Sequence, residues 1–181
     1  MSQTNEKVVD ELFHDFDRAN SPGAAVIVIK EGKPLFAKGY GLAELEKKIP
    51  CTTNTNFRLA SVTKQFTAMA VLILAEQGKL SLEDLLPKFF PEFPEYTKAI
   101  TLRNLLTHTS GLTDYEDHIP QGTTIPLSDR DVLFILRQQS KTDFPSGAQF
   151  HYSNSALCLA RVDRGKRFRE NFSSVRERED F

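Results

Sequence analysis

The chain has 181 residues, 40% of them apolar and 26% charged, with a formal net charge of -1. That length can bury the core of one domain, and the charge balance excludes a global field that recruits nucleic acid or an anionic membrane. Two cysteines, Cys51 and Cys158, do not make a disulfide framework, and no apolar run reaches the roughly 18 residues that span a bilayer.

Met1 to Lys7 is polar and lacks the apolar core of a signal peptide. The expectation is a cytoplasmic protein, with export left open by a mis-assigned start codon. Val8, Val9, Leu12, Phe13 and Phe16 recur at helical spacing and predict an amphipathic helix, which Ser21-Pro22-Gly23 breaks. Ala24 to Ile29 and Leu35 to Tyr40 read as two strands, and Glu31-Gly32-Lys33 between them supplies turn chemistry for a β-hairpin. Residues 41 to 56 are polar and read as a loop.

From Ser61 to Gln77 the sequence is helical and apolar on most faces, which predicts a buried helix closed by Gly78. Leu80 to Pro94 carries three prolines and reads as irregular. Thr101 to Leu106 is a short helix, followed by His108-Thr109-Ser110-Gly111. Asp129 to Gln139 is another, with Ser128 or Asp129 as its cap. Phe144 to Gly147 is a turn, Phe150 to Tyr152 is extended, and Asn154 opens a new apolar stretch that stops after Ala160. Residues 161 to 181 hold seven positive and five negative charges with no period that buries a face. The expected organisation is therefore a domain over 1–160 and a charged tail over 161–181, disordered or weakly helical. The near-cancelling charges argue against a nucleic-acid arm.

Ser61-Val62-Thr63-Lys64 is the first chemical constellation. A serine hydroxyl needs a nearby base to act as a nucleophile, and residues three apart share a helix face. Lys64 is a charge on an otherwise apolar helix, where it needs a partner or a function. S-x-x-K alone arises by chance on the order of once per few hundred residues, so it does not decide the matter. Tyr152 and Asn154 form a second pair, two apart on an extended segment and so on one side of it. A phenol can relay a proton and a carboxamide can orient a substrate amide or the lysine.

Four ordered stretches together are specific. Phe57 to Thr67 around Ser61 and Lys64, Gly39-Tyr40-Gly41-Leu42-Ala43, His108-Thr109-Ser110-Gly111-Leu112, and Phe144-Pro145-Ser146-Gly147 with Tyr152-Ser153-Asn154 resemble the serine β-lactamase and penicillin-binding-protein superfamily. The class C β-lactamase-related branch, with its esterases and D-amino-acid peptidases, is the most similar. The resemblance covers about residues 8 to 160 and implies an α+β, β-lactamase/transpeptidase-like fold. It implies Ser61 as acylated nucleophile, Lys64 as base, Tyr152 as proton-relay phenol and Asn154 as a substrate-binding amide. It also implies that the backbone N–H of Ser61 is half of an oxyanion hole. The substrate class is a small-molecule or peptide-like acyl compound: an amide, β-lactam or ester. No cofactor is implied, and His108 is expected to be structural. His14, His118 and His151 show no metal-ligand spacing.

The chain departs from the family pattern at its third element, a K-T-G or H-x-G triplet on a strand lining the cleft. Lys141-Thr142 is followed by Asp143 and precedes Tyr152, so it is not that element, and only 27 residues follow Asn154. The expectation is a C-terminally truncated member, with the hairpin's apolar face left open and residues after about 160 out of frame. Two further readings follow: a non-catalytic remnant serving as a binding or regulatory module, or complementation by a separate chain that carries the missing strands.

Overall fold

A computed structural model describes residues 3–125 and 127–162. The chain divides into two compact units, one up to Leu59 and one from Ala60 onward.

In the first unit, helix α1 spans Gln3–Leu12 and strands β1 (Ala24–Lys30) and β2 (Lys33–Tyr40) form the expected antiparallel hairpin. Glu31 and Gly32 both take positive φ, 52° and 73°, the signature of a two-residue type I′ turn whose twist matches the strands. Asp10 on α1 accepts hydrogen bonds from Lys38 (2.6 Å) and Tyr40 (2.8 Å), and Phe13 stacks on the Tyr40 ring at 5.0 Å. The predicted helix is shorter than its apolar spacing suggested: α1 stops at Leu12, and His14–Phe16 form a single 3-10 turn. The polar stretch after Gly41 is not all loop, because β3 (Leu42–Glu44) and β4 (Ile49–Pro50) form a small ladder. Ile27 and Ile29 are 55% and 59% exposed, an open apolar face on the hairpin as anticipated.

The second unit is helical: α2 (Thr63–Glu76), α3 (Leu102–Leu106), α4 (Asp129–Arg137) and α5 (Asn154–Val162). Helix α5 packs against the other three, and Ala156, Leu157, Leu159 and Ala160 join Val71, Leu74, Leu105 and Leu136 in its core. Gly78 closes α2 at φ 67°: its N–H donates to Ala75 O, and the Lys79 N–H donates to Leu74 O, both at 3.0 Å. Contrary to the expectation of an all-round buried helix, Phe66, Met69 and Leu72 of α2 are exposed, and only Ala70, Val71 and Leu74 are buried. The proline-rich segment is irregular as predicted but not superficial, since Leu86, Phe90 and Phe93 are core. It is sewn to the start of α3 by Leu86 N–H to Ile100 O (2.7 Å) and Arg103 N–H to Leu82 O (2.8 Å). Thr101 caps α3 with Asn104 in a reciprocal box, and Ser128 caps α4 with Asp131 in the same way.

Helix α5 continues to Val162, slightly past the expected boundary at 160. The rest of the predicted tail lies outside the described residues. Among the described residues no helix is long and apolar enough to cross a membrane.

Candidate active site

Ser61 lies in a single 3-10 turn, Ala60–Val62, that runs directly into α2. The preceding residue, Ala60, has φ 44°, a left-handed conformation that residues with a Cβ adopt at a cost. Lys64 follows in the first turn of α2. Its amine donates to Ser61 Oγ at 3.0 Å, so the S-x-x-K spacing does bring the two groups into contact. Lys64 Nζ also donates to Asn154 Oδ1 at 2.8 Å.

Tyr152 arrives from a different part of the chain. Its hydroxyl pairs with Ser61 Oγ at 2.7 Å, and Lys64 Nζ lies 5.0 Å from the centre of its ring. All four residues singled out from the sequence thus meet in one hydrogen-bonded group: Ser61, Lys64, Tyr152 and Asn154. The Tyr152 phenol is held below its ordinary value, first by hydrogen bonding to Lys64 and then by the Ser61 hydroxyl.

What carries Tyr152 and Asn154 to α2 is the packing beneath them. Gly111 stands at φ 72°, and a Cβ there would come within 2.1 Å of Phe144 O, so only glycine permits these two segments to lie together. The Asp143 N–H donates to Gly111 O (2.8 Å), the Gly147 N–H to Thr109 O (2.7 Å), and the His151 N–H to His108 O (2.9 Å). The H-T-S-G and P-S-G elements are therefore two strips of one backbone seam. Asn104 pins it: its Oδ1 accepts from Ser146 Oγ at 2.9 Å and its Nδ2 donates to Thr109 Oγ1 at 3.1 Å.

His108 packs its ring on that of Tyr152, centroids 4.6 Å apart and 25° from parallel. Its Nδ1 accepts the Ser153 N–H at 3.2 Å. Burial, and then the neighbouring charge of Lys64, lower its pKa and favour the neutral ring that this hydrogen bond needs. The hydrogen bonds of Ser61 go instead to Lys64 and Tyr152.

Two residues at the site escaped sequence reasoning. Asp114 Oδ2 accepts the Asn154 backbone N–H at 2.7 Å, and Glu116 Oε1 accepts from Asn154 Nδ2 at 3.0 Å. In sequence, Asp114 to His118 looks like a solvated charged turn, and nothing there signals a partner 40 residues away. Beside Lys64 lies a cavity of about 180 Å³, lined by Thr63, Thr67, Tyr115, Asn154 and Cys158 among others. Among the described residues, no group of three or more His, Cys, Asp or Glu side chains is arranged to hold a metal ion.

A hydroxyl in contact with an amine and a phenol stands at the entrance of a helix. The family model described as beta-lactamase matches residues 9–173. The chain belongs to the beta-lactamase family. It is 31% identical over 161 residues to Protein flp of Staphylococcus aureus, covering 85% of this chain and 32% of that protein. Among solved structures it is similar to the octameric penicillin-binding protein homologue from Pyrococcus abyssi, with TM-score 0.71 and 27% identity, covering 88% of this chain and 38% of that one. It is also similar to EstCE1, a hydrolase with promiscuous acyltransferase activity, with TM-score 0.68 and 27% identity, covering 86% and 44%. The chain thus spans about a third of the length of the curated relative and less than half of these solved structures. The fold is β-lactamase/transpeptidase-like.

Proposed function

We propose that this chain carries the nucleophilic half of a serine hydrolase that acts through an acyl-enzyme on an amide, β-lactam or ester. The observation that carries the reading is the shared position of Ser61 Oγ, 3.0 Å from Lys64 Nζ and 2.7 Å from Tyr152 Oη. Either group can take the serine proton as the hydroxyl oxygen attacks an acyl carbon. Lys64 is the base in this reading. Tyr152 relays the proton to the leaving amine or alcohol as the acyl bond breaks. Its lowered pKa suits that exchange, because a phenol that ionises more readily accepts and returns a proton nearer to neutral pH. Water then attacks the ester formed on Ser61 and releases the acid. Asn154, held by Lys64, presents its amide to the substrate beside the serine.

An oxyanion hole uses two donors, and loss of one typically costs about 10² to 10³ in rate. The Ser61 N–H supplies one in this reading.

Intact-mass spectrometry after incubation with a β-lactam and with a p-nitrophenyl ester tests this. The expected result is a single covalent adduct that maps to Ser61 and is absent from Ser61→Ala. Equal labelling of the two proteins would remove the enzymatic reading and favour a binding or regulatory module.

A further inference from the structure

We propose that Glu116 is a positioning residue that fixes the orientation of the Asn154 amide and, through it, aims the amine of Lys64 at Ser61. The proposal rests on Ser61 and Lys64 being the reacting pair, and nothing in the family motifs marks Glu116.

The argument is one of donors and acceptors. An asparagine amide has one acceptor end and one donor end of nearly the same shape, so packing alone discriminates poorly between its two orientations. Chemistry on either side discriminates strongly. In the observed contact the lysine amine donates, and an ionised carboxylate only accepts. Asn154 stands between them, with Oδ1 at 2.8 Å from Lys64 Nζ and Nδ2 at 3.0 Å from Glu116 Oε1. Turning the amide over would break the Lys64 donation to Oδ1 and set acceptor against acceptor at Glu116. With the carboxylate present, only the observed orientation satisfies both ends.

The carboxylate is itself held on α5. Asp114 Oδ1 accepts the Glu116 N–H at 3.1 Å, while its other oxygen accepts the Asn154 N–H at 2.7 Å. Between them, the Tyr115 N–H donates to Ser155 Oγ at 2.8 Å. Three consecutive residues, 114 to 116, are thus strapped to the first turn of the helix that carries Asn154. Glu116 is exposed, so its substitution leaves the core intact.

Three variants and two readouts test this on the full chain. Glu116→Ala removes the acceptor, Glu116→Gln keeps a neutral one, and Glu116→Lys replaces it with a donor that demands the opposite amide orientation. In an amide NMR spectrum of the 15N-labelled chain, the Asn154 side-chain signal is the one lost in Asn154→Asp. Its proton facing Glu116 should move upfield in Glu116→Ala, recover in part in Glu116→Gln, and move furthest in Glu116→Lys. Labelling of Ser61 by a fluorescent penicillin should slow roughly fivefold to tenfold in Glu116→Ala, the scale of one lost hydrogen bond. It should stay within about twofold of the parent in Glu116→Gln and fall below Glu116→Ala in Glu116→Lys. An Asn154 signal indifferent to all three substitutions would overturn the proposal. So would equal labelling rates for the Ala, Gln and Lys variants. If the parent chain is labelled neither by penicillin nor by a p-nitrophenyl ester, the acyl-enzyme reading fails separately, and the amide signal still decides the role of Glu116.

Discussion

The imidazole of His108 lies flat against the ring of Tyr152, with centroids 4.6 Å apart, while its Nδ1 accepts the N–H of Ser153. One side chain therefore braces the phenol from behind and holds the backbone beside it. His108 does this from φ 56°, a conformation that asparagine also tolerates. His108→Asn should keep the turn and lose the stack. We expect about 1 kcal/mol of lost stability, the scale of an aromatic contact, and a roughly tenfold slower acylation of Ser61 through misplacement of Tyr152. Thermal melts alongside adduct formation measure both. An unchanged acylation rate in a folded His108→Asn would show that the stack does not position the phenol.

Tyr40, Tyr96 and Tyr152 should titrate in two groups. Tyr152 ionises below 10 because hydrogen bonds from Lys64 and Ser61 favour its phenolate. Burial pushes Tyr40 and Tyr96 up to about 12, with Asp10 adding to the shift at Tyr40. Absorbance at alkaline pH for Tyr152→Phe, subtracted from the parent, should isolate one phenol with a midpoint under 10, and Lys64→Met should move that midpoint upward. The Tyr40 and Tyr96 pair carries the opposite sign for stability. A phenol whose folded pKa is raised stabilises the fold fully below its unfolded value near 10, and that contribution is lost as pH climbs to about 12. Melting temperature should therefore fall over that interval, less steeply in Tyr96→Phe. A midpoint at or above 10 in the difference titration would contradict the Lys64 contact.

Asn104 is where a helix cap and the active-site seam meet. Its carbonyl oxygen accepts from the Thr101 N–H and hydroxyl and from Ser146 Oγ, and its amide donates to Thr109 Oγ1. Asn104→Ala should cost about 2 kcal/mol or more, because a cap and partly buried partners lose their bonds together. Asn104→Asp keeps the acceptor and should cost less than Asn104→Ala, since it loses only the donor to Thr109. Chemical denaturation ranks the variants, and an Ala variant as stable as the parent would mean the seam holds without this hub.

The chemistry was more legible in the sequence than the scaffolding around it. Ser61 and Lys64 sit three apart on a helix, so their contact follows from local geometry. The ordered motifs added Tyr152 and Asn154, although no local rule brings them to residue 61. The hairpin was readable because Glu31-Gly32 is a turn written in two residues. The β3–β4 ladder was not, because it pairs so few residues that no alternation develops. Helix α2 misled in a different way. Its apolar residues surround the axis, yet Phe66, Met69 and Leu72 stay exposed, because composition shows which faces can be buried and not which ones meet a neighbour. Glu116 was invisible for the same reason: a charged turn looks alike whether its carboxylate meets water or an asparagine.

The hydrogen bonds that assemble this site span 90 and 91 residues of chain, from Lys64 to Asn154 and from Ser61 to Tyr152. Synthesis proceeds from the N-terminus at about 5 to 20 residues per second, so the serine is made roughly 5 to 20 s before the phenol that will hold it. Throughout that interval the nascent chain has the serine and lysine without the two groups that orient them. The nucleophile is therefore assembled by the closing of a long loop, and the order of translation delays that assembly until the first turn of α5 has been made.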